Sequence, residues 1–290
     1  MRADKETRKE KTINSIVEAC VVLTLALLAL LIFATFLSSH PINPEETSQK
    51  KLNFSTNENQ PNVYDLNIRA SLQRQKDFGD PDSAYRTLEQ MFSKLKKEIQ
   101  PKPKYNKQEA LKILNTIGSI LKEYGHFECK SNRLLIEELN KEKNGKKFLD
   151  CDDYSSIYLA AAEQLGLPLE PVYFPAHVFL RCELSDSRNF YWEPTIAAET
   201  NMSYYKKRMN IPENSYYPKI LNEKQFEAIK LCDLGTAWFK KEDYQRAIGY
   251  FQKALESNSE FAPALNNLGA AHAKQGNYGK ALECYREAII

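Results

Sequence analysis

The chain has 290 residues, 42% hydrophobic and 27% charged, which excludes a globally disordered polymer and leaves room for about two domains. A formal net charge of +2, with no basic stripe interleaved with aromatics, gives no ground for nucleic acid as a partner. Six cysteines in this length do not make a disulfide scaffold; Cys129 and Cys182 are left either to pair in an oxidising space or to sit as idle thiols.

The first strong signal is an uncharged run from Ala19 to Leu37, which also contains Cys20. As a helix it spans about 28 Å, close to the hydrocarbon thickness of a bilayer. No polar face marks it as a core helix, and no clean small-x-small cleavage site follows it. We therefore expect a transmembrane helix over 13–38 behind a short tail at 1–12. Arg2, Lys5, Arg8, Lys9 and Lys11 precede the run and only Lys50 and Lys51 follow it closely. That bias predicts a cytoplasmic N-terminus and an extracytoplasmic main domain.

Residues 39–80 read as a flexible linker, polar and without period. Sequons at Asn53 and Asn201 carry no weight by themselves. Helical period begins near Pro81, with Asp82 or Ser83 as the expected N-cap and Tyr85, Leu88, Met91, Phe92 and Leu95 on one face. A second helix is expected from Lys107 to Tyr124 and a third over about 132–143.

The fourth helix starts at a cysteine. Asp150 suits its N-cap, Asp153 the capping-box position, and Gly166 its end. Strands are expected from Pro168 to Phe174, from His177 to Leu184 and from Phe190 to Glu193. If the turn between the last two centres on Asp186, His177 and Glu193 share a face. A thiol at a helix start, with an imidazole and a carboxylate on consecutive strands, is what a cysteine nucleophile needs: the thiol requires a base, and the base an orienting acid. The helix terminus favours a thiolate. Asp150, Asp152 and Asp153 oppose it, unless Asp150 and Asp153 point into the cap and Asp152 into solvent. Spacing alone leaves Cys151 open between a nucleophile and a small packed residue. No second His or Cys lies at ligand spacing, so neither metal nor cofactor is expected.

Residues 149–195 resemble the transglutaminase-like superfamily, papain-like thiol enzymes with Cys, His and Asp in that order. The resemblance rests on Cys151, then Leu165-Gly166-Leu167-Pro168, then His177, then Glu193-Pro194-Thr195. It is closest to a bacterial branch in which tetratricopeptide repeats follow. Glu193 stands where most of the superfamily has Asp, and Ala176 where this branch has glycine before the histidine. The resemblance implies acyl transfer, with Cys151, His177 and Glu193 as catalytic residues. The Cys151 backbone N–H would be one oxyanion donor, with Asn144 a candidate for a second.

The C-terminal end repeats with a 34-residue period: Leu231, Leu234, Gly235, Tyr244, Ala247, Phe251 and Ala254 recur as Leu265, Leu268, Gly269, Tyr278, Ala281, Tyr285 and Ala288. This pattern resembles the tetratricopeptide repeat (TPR), with repeats at 228–261 and 262–290, the second incomplete. It assigns Cys232, Cys284 and His272 to repeat helices, His272 to packing. Two repeats are fewer than usually stand alone, so the array is expected to dock on the preceding domain.

The fold class expected is α+β: a transglutaminase-like domain at 81–215, helices packed on a small antiparallel sheet. It follows a single transmembrane helix and precedes an all-α TPR array at 222–290. Two functional readings remain: a thiol amidase, peptidase or transglutaminase acting on a protein or peptide, or a non-catalytic scaffold that binds through the same groove and the repeats.

Overall fold

The computed structural model describes residues 63–289 except 125, 130–133, 142–145, 185–188 and 210–217. The expected membrane span at 13–38, most of the linker, Gly125, Asn144 and Asp186 lie outside the described residues. Among the described residues no helix is long and apolar enough to cross a membrane.

Part of the expected linker is helical. Helix α1, Val63–Arg74, is followed by a short 3-10 turn, Lys76–Phe78. Its apolar stripe is narrow, with Ile68 and Leu72 buried and Tyr64 half-buried one turn earlier, so the polar composition hides it. The Tyr64 N–H donates to Glu163 Oε2 at 2.8 Å, and buried Gln75 accepts from the Ile136 N–H at 3.1 Å. The α+β domain therefore begins before residue 81.

Helix α2, Pro81–Glu98, is capped by Asp80 rather than by Asp82 or Ser83. Proline takes the first helical position, where its missing N–H costs nothing. Ala84, Leu88, Met91, Phe92 and Leu95 are buried. Helix α3, Lys107–Tyr124, has the predicted bounds and buries Ala110, Leu114, Ile117, Ile120 and Leu121. The third expected helix shrinks to α4, Leu135–Leu139. Strands β1, His126–Cys129, and β2, Lys146–Leu149, flank it as a parallel pair. Four residues each are too few to reveal a period of two. The fully buried Glu138 accepts from the Phe148 N–H at 2.7 Å, tying α4 to β2.

Helix α5, Cys151–Glu163, is the centre of the domain: every residue from Cys151 to Ala162 is buried. A run rich in alanine permits this, because helices and strands can approach it on all sides. Helices α1, α2 and α3 pack on it, as do strands β3, Leu169–Phe174, and β4, His177–Cys182. Gly166, at φ 71°, turns the chain out of the helix into β3, a left-handed conformation that glycine adopts without strain.

Strands β5, Phe190–Glu193, β6, Ala198–Thr200, and β7, Lys219–Ile220, complete an antiparallel sheet in the order β6-β5-β4-β3-β7. Helix α6, Met202–Met209, follows β6. The pairing Leu180↔Trp192, Arg181↔Tyr191 and Cys182↔Phe190 fixes the register of β4 against β5. It centres on residue 186, the condition for His177 and Glu193 to share a face.

Four helices follow: α7, Glu223–Lys240; α8, Tyr244–Ser257; α9, Ala262–Lys274; and α10, Tyr278–Glu287. Asn222 and Gln225 form a capping box that starts α7 ahead of the expected repeat boundary at 228. An added Cβ at Gly235 would lie 2.5 Å from the Phe251 ring, and one at Gly269 2.7 Å from the Tyr285 ring. The repeated glycines are therefore crossing points of paired helices. His272 is buried in this packing, which lowers its pKa.

The array docks on the α+β domain. Phe78 meets Trp238 edge-on at 4.9 Å between centroids, Tyr173 meets Phe261 at 6.0 Å, and Arg74 pairs with Glu227. Buried side chains of α7, α8 and α9 belong to the same apolar core as those of α1 to α5.

Candidate active site

The imidazole is set by a turn and a strand. Phe174 pairs with His177 across the β3–β4 hairpin, leaving a two-residue loop, Pro175-Ala176. Ala176 has φ 58°, a left-handed conformation that costs an L-residue energy and that glycine takes freely. Glycine would take this turn without strain. His177 then opens β4, with its Nε2 2.6 Å from Glu193 Oε2 on β5.

Glu193 is fully buried and saturated with partners. Thr195 donates to Oε1 through its N–H at 3.2 Å and its hydroxyl at 2.5 Å, and the Tyr205 hydroxyl donates to Oε2 at 2.9 Å. Burial alone would raise its carboxyl pKa. The hydrogen bond and charge of His177, with the bonds from Thr195 and Tyr205, outweigh burial and hold it below the usual carboxylate value. With Nε2–H donated to Glu193, Nδ1 carries the lone pair that accepts a proton.

Tyr205 was not anticipated. It comes from α6, is fully buried, and stacks on Phe179 at 3.9 Å between centroids. Burial first and Glu193 second push its phenol pKa up, so it remains a hydrogen-bond donor. A tyrosine in the polar run Ser203-Tyr204-Tyr205-Lys206-Lys207 gives little sequence signal of a core role.

The thiol half is built at the start of α5. The Val178 N–H donates to Cys151 Sγ at 3.4 Å, so the sulfur lies against the backbone next to His177. The residues predicted from sequence are thus brought to one place: Cys151 to the β4 backbone beside His177, and His177 to Glu193. Cys151 is 8% exposed.

The aspartates depart from expectation. Asp150 is the N-cap, but its Oδ1 accepts from the adjacent Cys151 N–H at 2.7 Å. Asp153 does not complete a capping box, and Asp152 does not face solvent; both are 4% exposed. Lys230 of α7 lies between them, its Nζ 3.1 Å from Asp152 Oδ2 and 3.0 Å from Asp153 Oδ1. Tertiary docking overrides the local capping pattern, because a buried lysine demands carboxylates. Burial pushes the Asp153 carboxyl up to about 7 against the pull of Lys230, and one of its oxygens is buried without a hydrogen bond.

The expected oxyanion donor also departs: the Cys151 N–H is already bonded to Asp150. Asp150, Cys151 and Asp152 offer three ligand atoms within 4.8 Å of one another. Asp150 is engaged as a cap and Asp152 by an ammonium, so the set is not a vacant cation site. Cys182 is a free, buried thiol, with burial pushing its pKa up to about 12.

Cys151 at a helix start thus lies against the strand that begins with His177, and His177 is bonded to Glu193 on the neighbouring strand. Residues 82–200 match the family model of the transglutaminase-like superfamily, and residues 262–290 match that of the tetratricopeptide repeat. The chain carries a transglutaminase-like domain followed by a TPR, and the TPR supports protein–protein interaction. No curated protein matches it.

Proposed function

We propose that the protein is a cysteine-dependent acyl-transfer enzyme acting on a protein or peptide amide. Cys151 attacks the carbonyl carbon as His177 takes the thiol proton on Nδ1. The tetrahedral adduct collapses to a thioester as His177 returns that proton to the leaving amine. Water then resolves the thioester to an acid, or an amine resolves it to a new amide. Glu193 holds the imidazole and stabilises its charged form. The observation that carries this reading is the Val178 N–H to Cys151 Sγ contact together with the His177–Glu193 hydrogen bond. In the test, Cys151 should alkylate with iodoacetamide near neutral pH faster than free cysteine, and His177→Ala should remove the advantage. Equal rates in all three sink the enzyme reading.

One observation favours the second reading, a non-catalytic scaffold using the same groove and the repeats. A carboxylate, Asp150, occupies the N–H that would stabilise an oxyanion. Under that reading Cys151→Ala leaves peptide binding intact and no thioester is trapped from any acyl donor.

We also propose anchoring by residues 13–38 with the main domain extracytoplasmic, supported by the uncharged run and its flanking lysines and arginines. Alkaline carbonate should leave the chain in the membrane fraction, and protease added to sealed vesicles of cytoplasm-inside orientation should digest the repeats. Release by carbonate overturns the anchor.

A further inference from the structure

Lys230 comes from the repeat array, 78 residues beyond Asp152, yet its ammonium sits at the start of the cysteine helix. One oxygen each of Asp150 and Asp152 lies within 4.8 Å of Cys151 Sγ. Lys230 and its two acids are 7% and 5% exposed, so solvent screens little of their field. Other charged groups face this cluster. On α7 they are Asp233, Glu227 and Glu223, and on α1 Arg74, paired to Glu227, with the neutral but titratable Tyr64 hydroxyl nearby; His177 and Glu193 lie on the sheet beside Cys151. Burial and the neighbouring Asp152 push the Asp233 carboxyl up, and the paired acids hold Lys230 protonated against the cost of burial.

We propose that Lys230 is a positioning residue for the Cys151 nucleophile. Its single positive charge, held between Asp152 and Asp153, offsets part of the negative potential at the sulfur, so the docked array is what makes the thiol reactive. This rests on the reading of Cys151 as the nucleophile. It adds that the repeats serve the chemistry as well as any partner. Without Lys230, Asp153 would be pushed up further and take a proton, but Asp152 would stand without its counter-ion beside a thiol that must ionise, and the helix terminus would have to overcome it alone.

The test is the pH dependence of iodoacetamide alkylation at Cys151, followed by mass spectrometry of its peptide in the full-length chain. The variants are Lys230→Met, Lys230→Arg and Asp152→Asn. Lys230→Met should move the profile to higher pH and slow alkylation at pH 7 about tenfold. Lys230→Arg should stay within about threefold of wild type. Asp152→Asn, which keeps the Lys230–Asp153 pair, should move the profile to lower pH. A folded Lys230→Met protein whose profile superimposes on wild type overturns the inference. If Lys230→Met does not fold, Asp152→Asn decides, and an unmoved or upward-shifted profile overturns it. A slow wild-type Cys151 that ignores His177→Ala sinks the enzyme reading instead, and is read from wild type and His177→Ala alone.

Discussion

Around His177 the polar groups are met from nearby in the chain: Glu193 lies 16 residues on, and Thr195 and Tyr205 lie 2 and 12 beyond Glu193. Around Cys151 the acids are met by Lys230, 77 and 78 residues away on the repeat array. One half of the site is a unit of sheet and helix that needs only its own segment to be complete. The other half has its acids paired only when a second module has docked. Damage to the array should therefore reach the thiol before it reaches the imidazole.

Lys230→Met is the severest way to break that contrast. It leaves Asp152 and Asp153, both 5% exposed, without their shared ammonium, and removing one partner of a buried pair costs about 3–5 kcal/mol, toward the low end where Asp153 can take a proton. Urea denaturation of the full-length chain checks it. Adding Asp152→Asn and Asp153→Asn should recover part of the loss, since the cluster is then uncharged while its buried amides still lack partners.

Glu193→Gln tests the other half. The carboxylate accepts from four donors on three residues, and an amide cannot satisfy them all. A loss of about 2–3 kcal/mol at neutral pH is expected. The pH sign follows from the lowered carboxyl pKa of Glu193. Its contribution is full above the ordinary value of 4.5 and is lost as pH falls through the lowered folded value. Glu193→Gln should accordingly flatten the acid limb of the stability curve below about pH 4.5, a limb that Lys230→Met leaves in place.

Gly235→Ala loosens the array without touching either half directly. The new Cβ would press on the Phe251 ring, at a cost of about 1–3 kcal/mol. A lowered melting temperature with an unchanged acid limb would keep the two regions distinct. Ala176→Gly has the smallest expected effect, a gain of about 0.5–1 kcal/mol from relief of the left-handed alanine. A loss instead would mean that the hairpin before His177 is not strained.

The sequence revealed what is encoded over short distances. Cys151 at the first turn of α5 and the bounds of α3 follow from capping and period, whereas the β4–β5 register is conditional in the sequence on where the turn centres. Elements of two to five residues, such as β7 and α4, are too short to show a period and were missed or misjudged. Tyr205 was hidden by polar neighbours. Lys230 carried one usable signal: it stands among Ala228, Ile229, Leu231 and Cys232, all buried, in a helix apolar on more than one face. Such a lysine needs a buried acid, but which acid depends on docking that no local pattern encodes. The local pattern alone therefore points the aspartates next to the cysteine to the cap and to solvent.

Lys230 also sets an order in time. A chain made from its N-terminus completes helix α5 and the strands of His177 and Glu193 well before α7 emerges. During that interval Asp152 and Asp153 stand without their counter-ion, and the nascent domain holds its imidazole assembly ready beside a thiol still under acid repulsion. A chain arrested before residue 230 would present the fold without that ammonium, so on the proposed reading the thiol waits for α7 to be made and docked.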